Sequence, residues 1–153
     1  MADTYSQIYI HIVFAVQNRN RIIQEMHREQ LQKYITGIIQ KRGSKLISIY
    51  CMPDHTHIFI GCNPAVALSD LVRDIKSVST NFINESKWFK NKFYWQNGFG
   101  AFSYSKSHIG RVAKYIENQQ EHHKRESFKE EYLKFLKRFE VNYKEQFLFE
   151  WFD

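Results

Sequence analysis

Residues 5 to 16 carry Ile8, Tyr9, Ile10, Ile12, Val13 and Phe14 with no glycine or proline among them, which predicts a strand buried on at least one face, central to its sheet. The polar, basic stretch QNRNR (17–21) reads as a loop. From Gln24 to Lys41, residues Met26, Leu31, Tyr34, Ile35, Ile38 and Ile39 recur at helical spacing, and Gly43 supplies the stop. KLISIYCM (45–52) and HTHIFIGC (55–62) are two β-rich runs separated by Pro53 and Asp54, a hairpin pattern. Ala67 to Glu85 then places Leu68, Leu71, Val72, Ile75, Val78 and Phe82 on one stripe of a second helix.

Beyond residue 85 the pattern loosens. FYWQNGFGAFSY (93–104) mixes aromatics with Gly98 and Gly100, which predicts an irregular strand or loop. A third helix is expected over 107–123. Ser127 and Glu130 make a capping-box pattern opening a fourth, which carries Phe128, Tyr132, Leu133, Phe135, Leu136 and Phe139. The aromatic, acidic tail EQFLFEWFD is apolar enough to dock on a neighbouring surface. Strand, helix, two strands, helix is the order of an α+β domain: an antiparallel sheet with helices packed on one face. No linker or repeat divides the chain, so 1–153 is expected to be a single domain.

Composition adds a sign. Lysine and arginine outnumber aspartate and glutamate 22 to 16, giving a net charge of +6, and a basic protein suits an anionic partner, nucleic acid being the commonest. The first sixteen residues lack the basic start of a signal peptide, and Tyr9 and His11 interrupt their apolar run, so no leader and no membrane span is expected. Cys51 and Cys62 form no CxxC pair and read as reduced thiols of a cytoplasmic protein.

Two features carry chemistry. In a strand, side chains at i and i+2 share a face, so His55 and His57 project together while Thr56 points away. Two imidazoles on a rigid strand make half of a metal shell, or a pair of satisfied histidines with no ligand. Cys51 and Cys62 lack the short spacing of zinc ligands, and Asp54 points away from the pair unless the turn bends it back. The second feature is SHIGRVAKYIENQQEHH (107–123). At about 100° per residue, Arg111, His108, Gln119 and His122 fall within about 40° of Tyr115, whereas Ile109, Val112 and Ile116 lie roughly 60° to 120° away. Tyr115 therefore stands outside the apolar stripe, as an edge-of-core tyrosine or as a nucleophile. Its phenol, with an ordinary pKa of about 10, needs a cation or base nearby in the second role; Arg111 is one turn before it. Gln119, one turn after, offers a carbonyl oxygen to a hard divalent ion.

Together YIHIVF, MPDHTHIFI and YIENQ resemble, in order and spacing, the single-tyrosine HUH transposases of the insertion-sequence two-hundred type. LVRDIKSVST and WQNGFGAFSYSKS fit the same family, so the resemblance covers most of the chain. It implies a ferredoxin-like or RRM-like fold. It further implies a homodimer, Tyr115 as nucleophile, and His55, His57 and Gln119 as ligands of Mg²⁺ or Mn²⁺. The implied activity is cutting and rejoining single-stranded DNA at hairpin-bearing element ends through a 5′-phosphotyrosine, with no nucleotide cofactor and no membrane, in the bacterial cytoplasm. The family's usual bulky apolar residue between the histidines is Thr56 here, a departure that touches packing on the far side of the strand.

Candidate DNA contacts are Arg19 and Arg21 in the first loop, Arg73 and Lys76 on the second helix, and Lys106, Arg111 and Lys114 near the tyrosine. Two other readings stay open: a domesticated relative that cleaves repeated palindromes, and a non-catalytic RRM-like binding module.

Overall fold

The computed structural model describes residues 3–17 and 22–151. Up to Glu85 the elements alternate as the sequence predicts, β1 (Tyr9–Ala15), α1 (Glu25–Lys41), β2 (Lys45–Cys51), β3 (His55–Gly61) and α2 (Leu68–Glu85), and the segment expected to be an irregular strand or loop contains a regular strand, β4 (Gly100–Tyr104). The four strands form one antiparallel sheet in the order β2-β3-β1-β4, with β1 in the interior. With its βαββαβ connectivity this is the ferredoxin-like arrangement. Gly43 closes α1 at φ 85°, a left-handed conformation that favours glycine.

Register decides what each face carries. Val13 pairs with His57, Ala15 with His55, His11 with Phe59 and with Phe102. Since paired residues share a face, His11, His55 and His57 stand on one side of the sheet with Phe59, Phe102 and Tyr104. Ile12, Phe14, Thr56, Ile58 and Ile60 stand on the other. Against that second face lie α1 and α2, locked together by Tyr34 stacked on Phe82 and by Arg42 paired with Asp74 at 3.0 Å. These are the helices the sequence places on one face.

The histidine face is covered in turn, by α3 (Ile109–Glu117), the single turn α4 (Gln119–His122) and α5 (Phe128–Arg138). Val112 and Ile116 of α3 pack on Phe59, and Phe135 of α5 stacks on Phe102. The sheet thus has helices on both faces. The expected third helix is interrupted at Asn118, whose backbone (φ −96°, ψ 20°) leaves the helical region and separates α3 from α4. The predicted capping box is present: Ser127 Oγ accepts from the Glu130 N–H at 3.2 Å, and the Glu130 side chain reaches back to the Ser127 N–H. By fixing where α5 begins, it sets Phe128, Glu131, Tyr132 and Phe135 on the inward stripe.

Candidate active site

Strand β3 delivers both histidines as its period of two requires, and both are almost wholly buried. His55 turns Nδ1 to Asp54 Oδ1 at 2.7 Å, because the Pro53–Asp54 turn bends that carboxylate back toward the strand. His57 turns Nδ1 to His11 Nε2, also at 2.7 Å. Each imidazole is therefore oriented from behind and presents Nε2 to the space between sheet and helices.

The helices bring the remaining groups. Gln119, the first residue of α4, places Oε1 at 3.4 Å from His55 Nε2. Tyr115 lies beside the histidines of its own chain, with its ring 6.2 Å from that of His57 and its hydroxyl 3.1 Å from His122 Nε2. At the centre is a residue the sequence reading passed over: Glu131 of α5, 2% exposed. Its Oε1 faces three imidazole Nε2 atoms, at 2.9 Å (His57), 3.1 Å (His123) and 3.6 Å (His55). Its Oε2 accepts from Gln119 Nε2 at 3.0 Å and from the Tyr115 hydroxyl. His123, which follows α4, has Nδ1 on the Glu126 carbonyl at 2.7 Å.

Charge follows from these contacts. Burial alone would raise the Glu131 carboxyl, yet the surrounding imidazoles of His57, His123 and His55 outweigh it and hold the group well below the usual carboxylate range. Burial lowers His57, and lowers His11 further. For His123 the hydrogen bond and charge of Glu131 overcome burial and raise it. Burial, reinforced by Glu131, pushes the Tyr115 phenol well above its ordinary value.

The donor set suits a divalent ion. His55, His57, His123 and Glu131 bring ligand atoms within 4.8 Å of one another, and each imidazole has a partner on its far nitrogen, the arrangement that stiffens metal-binding histidines. A cleft of about 710 Å³ opens beside Tyr115, lined by Arg111, His122, Glu131, Lys134 and Arg138 among others.

The basic candidates separate into groups. Arg111 borders the cleft, and Lys106 and Lys114 are exposed next to or on α3. Arg73 is paired with Asp70 and Asp74 on α2. Lys76 donates to the carbonyls of Gln96 and Gly98 and sits 5.4 Å over the Phe14 ring, so the structure places it behind the sheet, away from the histidines. Arg19 and Arg21 lie outside the described residues.

A family model described as Transposase IS200 like matches residues 4–119, most of the chain. The chain belongs to the IS200-like transposase family. This IS200-like transposase is 24% identical over 120 residues to the ISDra2 transposase TnpA of Deinococcus radiodurans, across 74% of its own length and 84% of that protein. Its fold resembles that of a candidate transposase from the same organism, with a TM-score of 0.60, 21% identity, and coverage of 78% of this chain and 96% of that one. A REP-associated tyrosine transposase bound to a REP hairpin is similar to the same degree, at TM-score 0.60 and 17% identity, covering 80% of this chain and 73% of that one. Among the described residues no helix is long and apolar enough to cross a membrane.

His123 and Glu131 both lie beyond the matched residues, so the motifs that carry the family resemblance could not point to them. A signal was present all the same. Glu131 is a lone carboxylate in the apolar stripe of the fourth helix, three residues after Phe128 and four before Phe135, and an unpaired charge is not buried there without a partner.

Proposed function

We propose that this transposase cuts and rejoins single-stranded DNA at hairpin-bearing element ends, with Tyr115 as nucleophile and with His55, His57 and Gln119 among the groups that hold Mg²⁺ or Mn²⁺. The observation that carries the reading is a meeting of parts. The Tyr115 hydroxyl and the Nε2 edges of His55 and His57 reach the same carboxylate, so nucleophile and metal donors share one centre within one chain.

In the cleavage step a Tyr115 O–P bond forms and the P–O3′ bond of the scissile phosphodiester breaks. A 5′-phosphotyrosine is left, and the departing 3′ oxygen takes up a proton. The proton the phenol gives up balances the one the 3′ oxygen takes up, and Glu131 Oε2, held too acidic to keep a proton, orients the hydroxyl by accepting its hydrogen bond. His55, His57 and Gln119 would hold a divalent ion whose positive charge would stabilise the developing charge on the phosphate and offset the anionic carboxylate beside the phenol. One phosphodiester is exchanged for another, so a second 3′-OH can attack the tyrosyl link and reseal the strand without a nucleotide cofactor. Arg111 at the mouth of the cleft, with Lys106 and Lys114 nearby, offers charge to the DNA backbone. The hairpin partner named for the REP-associated relative supports a hairpin ligand here; the homodimer implied by the family resemblance is part of the same proposal.

Coverage of both sheet faces argues against an RRM-like binding module, which needs an open face on which bases stack. The test incubates the protein with a hairpin oligonucleotide from its own genomic flank, with and without Mg²⁺ or Mn²⁺. A covalent adduct should form and be absent from Tyr115→Phe and from His55→Ala/His57→Ala. Failure of the wild-type protein to form it on the correct flank overturns the reading.

A further inference from the structure

His55 and His123 fix their own tautomers. Nδ1 of His55 faces the Asp54 carboxylate and Nδ1 of His123 faces the Glu126 carbonyl; both partners only accept, so both Nδ1 atoms carry the proton. In the neutral imidazoles each Nε2 is then a lone pair, and both lone pairs are aimed at the Glu131 carboxylate, at 3.6 Å and 3.1 Å. Lone pairs facing an anion repel unless positive charge lies between them, either a proton on each Nε2 or one metal ion shared by all. Three Nε2 atoms, with that of His57, converge on one buried carboxylate oxygen, an arrangement in which a single ion can satisfy every donor at once.

We propose that Glu131 and His123, from the segment beyond the family match, are metal ligands that join His55 and His57 in holding the ion. The inference rests on the metal-dependent reading above and deepens it. Three imidazole nitrogens and one carboxylate oxygen form a borderline donor set, suited to Mn²⁺, Co²⁺ or Zn²⁺, whereas Mg²⁺ takes oxygen ligands and retains its waters. The site therefore prefers the former ions. Beside the ligand role proposed for its carbonyl oxygen, Gln119 positions Glu131: its amide N–H holds Glu131 Oε2 at 3.0 Å, leaving Oε1 turned toward the imidazoles. Glu131 joins ligand set and nucleophile, since its Oε2 also receives the Tyr115 hydroxyl.

Calorimetric titration of the full chain with Mn²⁺ and with Mg²⁺ tests this in the absence of DNA. Wild type should bind Mn²⁺ much more tightly than Mg²⁺. Loss of a ligand should weaken Mn²⁺ binding by at least the roughly tenfold typical of second-shell changes in Glu131→Gln and in His123→Ala, and Gln119→Ala should weaken it less than either. Wild-type Mn²⁺ affinity in both Glu131→Gln and His123→Ala, alongside its loss in His55→Ala/His57→Ala, overturns the inference and leaves the proposed function standing. Because a variant can fail to fold, anomalous diffraction from Mn²⁺-soaked wild-type crystals gives a second readout. An ion bonded to Glu131 and His123 supports the assignment; one bonded to His55, His57 and Gln119 alone overturns it. Metal binding as expected with no covalent adduct on the correct hairpin sinks the transposition chemistry and not the ligand set.

Discussion

His11 Nε2 lies 2.7 Å from His57 Nδ1, and the two rings stack with centroids 5.0 Å apart. The strands β1 and β3 that carry them are neighbours, and His11 is completely buried among Phe102, Tyr104 and Phe135. One proton serves the pair. With His57 Nε2 donating to Glu131, the bridging proton belongs to His11 Nε2; with His57 Nε2 free to bind a cation, it belongs to His57 Nδ1 and His11 carries its own proton on the unpartnered Nδ1. Replacing His11 by Phe keeps the aromatic packing and removes the partner. Mn²⁺ affinity should fall by about 10- to 100-fold, the range for second-shell partners of metal-binding histidines, with the circular dichroism spectrum unchanged. Unaltered affinity would show that His57 is oriented by its strand alone.

The same burial gives the metal-free protein an acid limb. Folded His11 and His57 have pKa values below the 6.5 of the unfolded chain, and Glu131 lies below its ordinary 4.5. In each case the unfolded state binds the proton first, so stability falls as pH drops: below about 6.5 for the histidines, and further below about 4.5 for Glu131. His123 acts in the opposite sense. Its folded pKa is raised, so its contribution is present below 6.5 and is lost as pH climbs through the folded value. Melting in chelator should therefore be highest near neutrality and fall toward pH 5 at up to about 1.4 kcal/mol per pH unit for each proton taken up. His11→Phe should flatten that limb; a slope equal to wild type's would assign it to other groups.

How much of this was legible in the chain depends on how local the determinant is. The HxH geometry follows from the two-residue period of a strand, and the placement of Tyr115 outside the apolar stripe from the helical wheel, so both were readable in the sequence. The order strand, helix, two strands, helix was readable too, from alternating periodicities, while the ferredoxin-like fold was implied by the family resemblance. The bend at Asn118 was not, because no glycine or proline marks it. A helical stripe of Phe128, Tyr132 and Phe135 says that α5 docks, but not on which face of the sheet. Glu131 was easy to pass over for a related reason: beside Glu130, which does close the capping box, it reads as one more acidic residue in the first turn, although its spacing from Phe128 and Phe135 puts it on the apolar stripe. Lys76 shows the converse. Its charge suggested DNA, but the ammonium is taken by two backbone carbonyls.

Lys76 and Arg111 should accordingly separate stability from DNA binding. Lys76→Met removes two charge-assisted hydrogen bonds that hold the segment before β4, and should destabilise the fold by about 2 kcal/mol in urea melts. Its single-strand affinity and salt dependence should match wild type's. Arg111→Ala, at an exposed position by the cleft, should leave the melt within about 0.5 kcal/mol. It should lower the salt slope of single-strand binding by about 0.7, the value for one lost phosphate contact. The reverse pattern, with Lys76 altering the slope and Arg111 the melt, would move the DNA path to the α2 side of the sheet.

The C-terminal tail should matter to the active site through a chain of aromatic contacts. Phe149 is buried, with its ring 5.0 Å from Tyr132 and 5.9 Å from Phe128, and Phe128 stacks on His55 at 4.0 Å. Gln96 clasps the backbone next to it, donating to the Glu150 carbonyl at 2.9 Å and accepting from the Glu150 N–H at 2.7 Å. Phe149→Ala opens a cavity under the start of α5 and should reduce stability by about 3–5 kcal/mol. The loss should also loosen the helix that carries Glu131, so Mn²⁺ affinity should fall in the same variant at a temperature where it remains folded. Phe147, two residues earlier and 76% exposed, is the internal comparison: Phe147→Ala should change stability by less than about 0.5 kcal/mol. Equal losses in the two variants would mean that the tail is not seated on α5; a destabilised Phe149→Ala with unchanged Mn²⁺ affinity would mean that the tail supports the fold without reaching the metal donors.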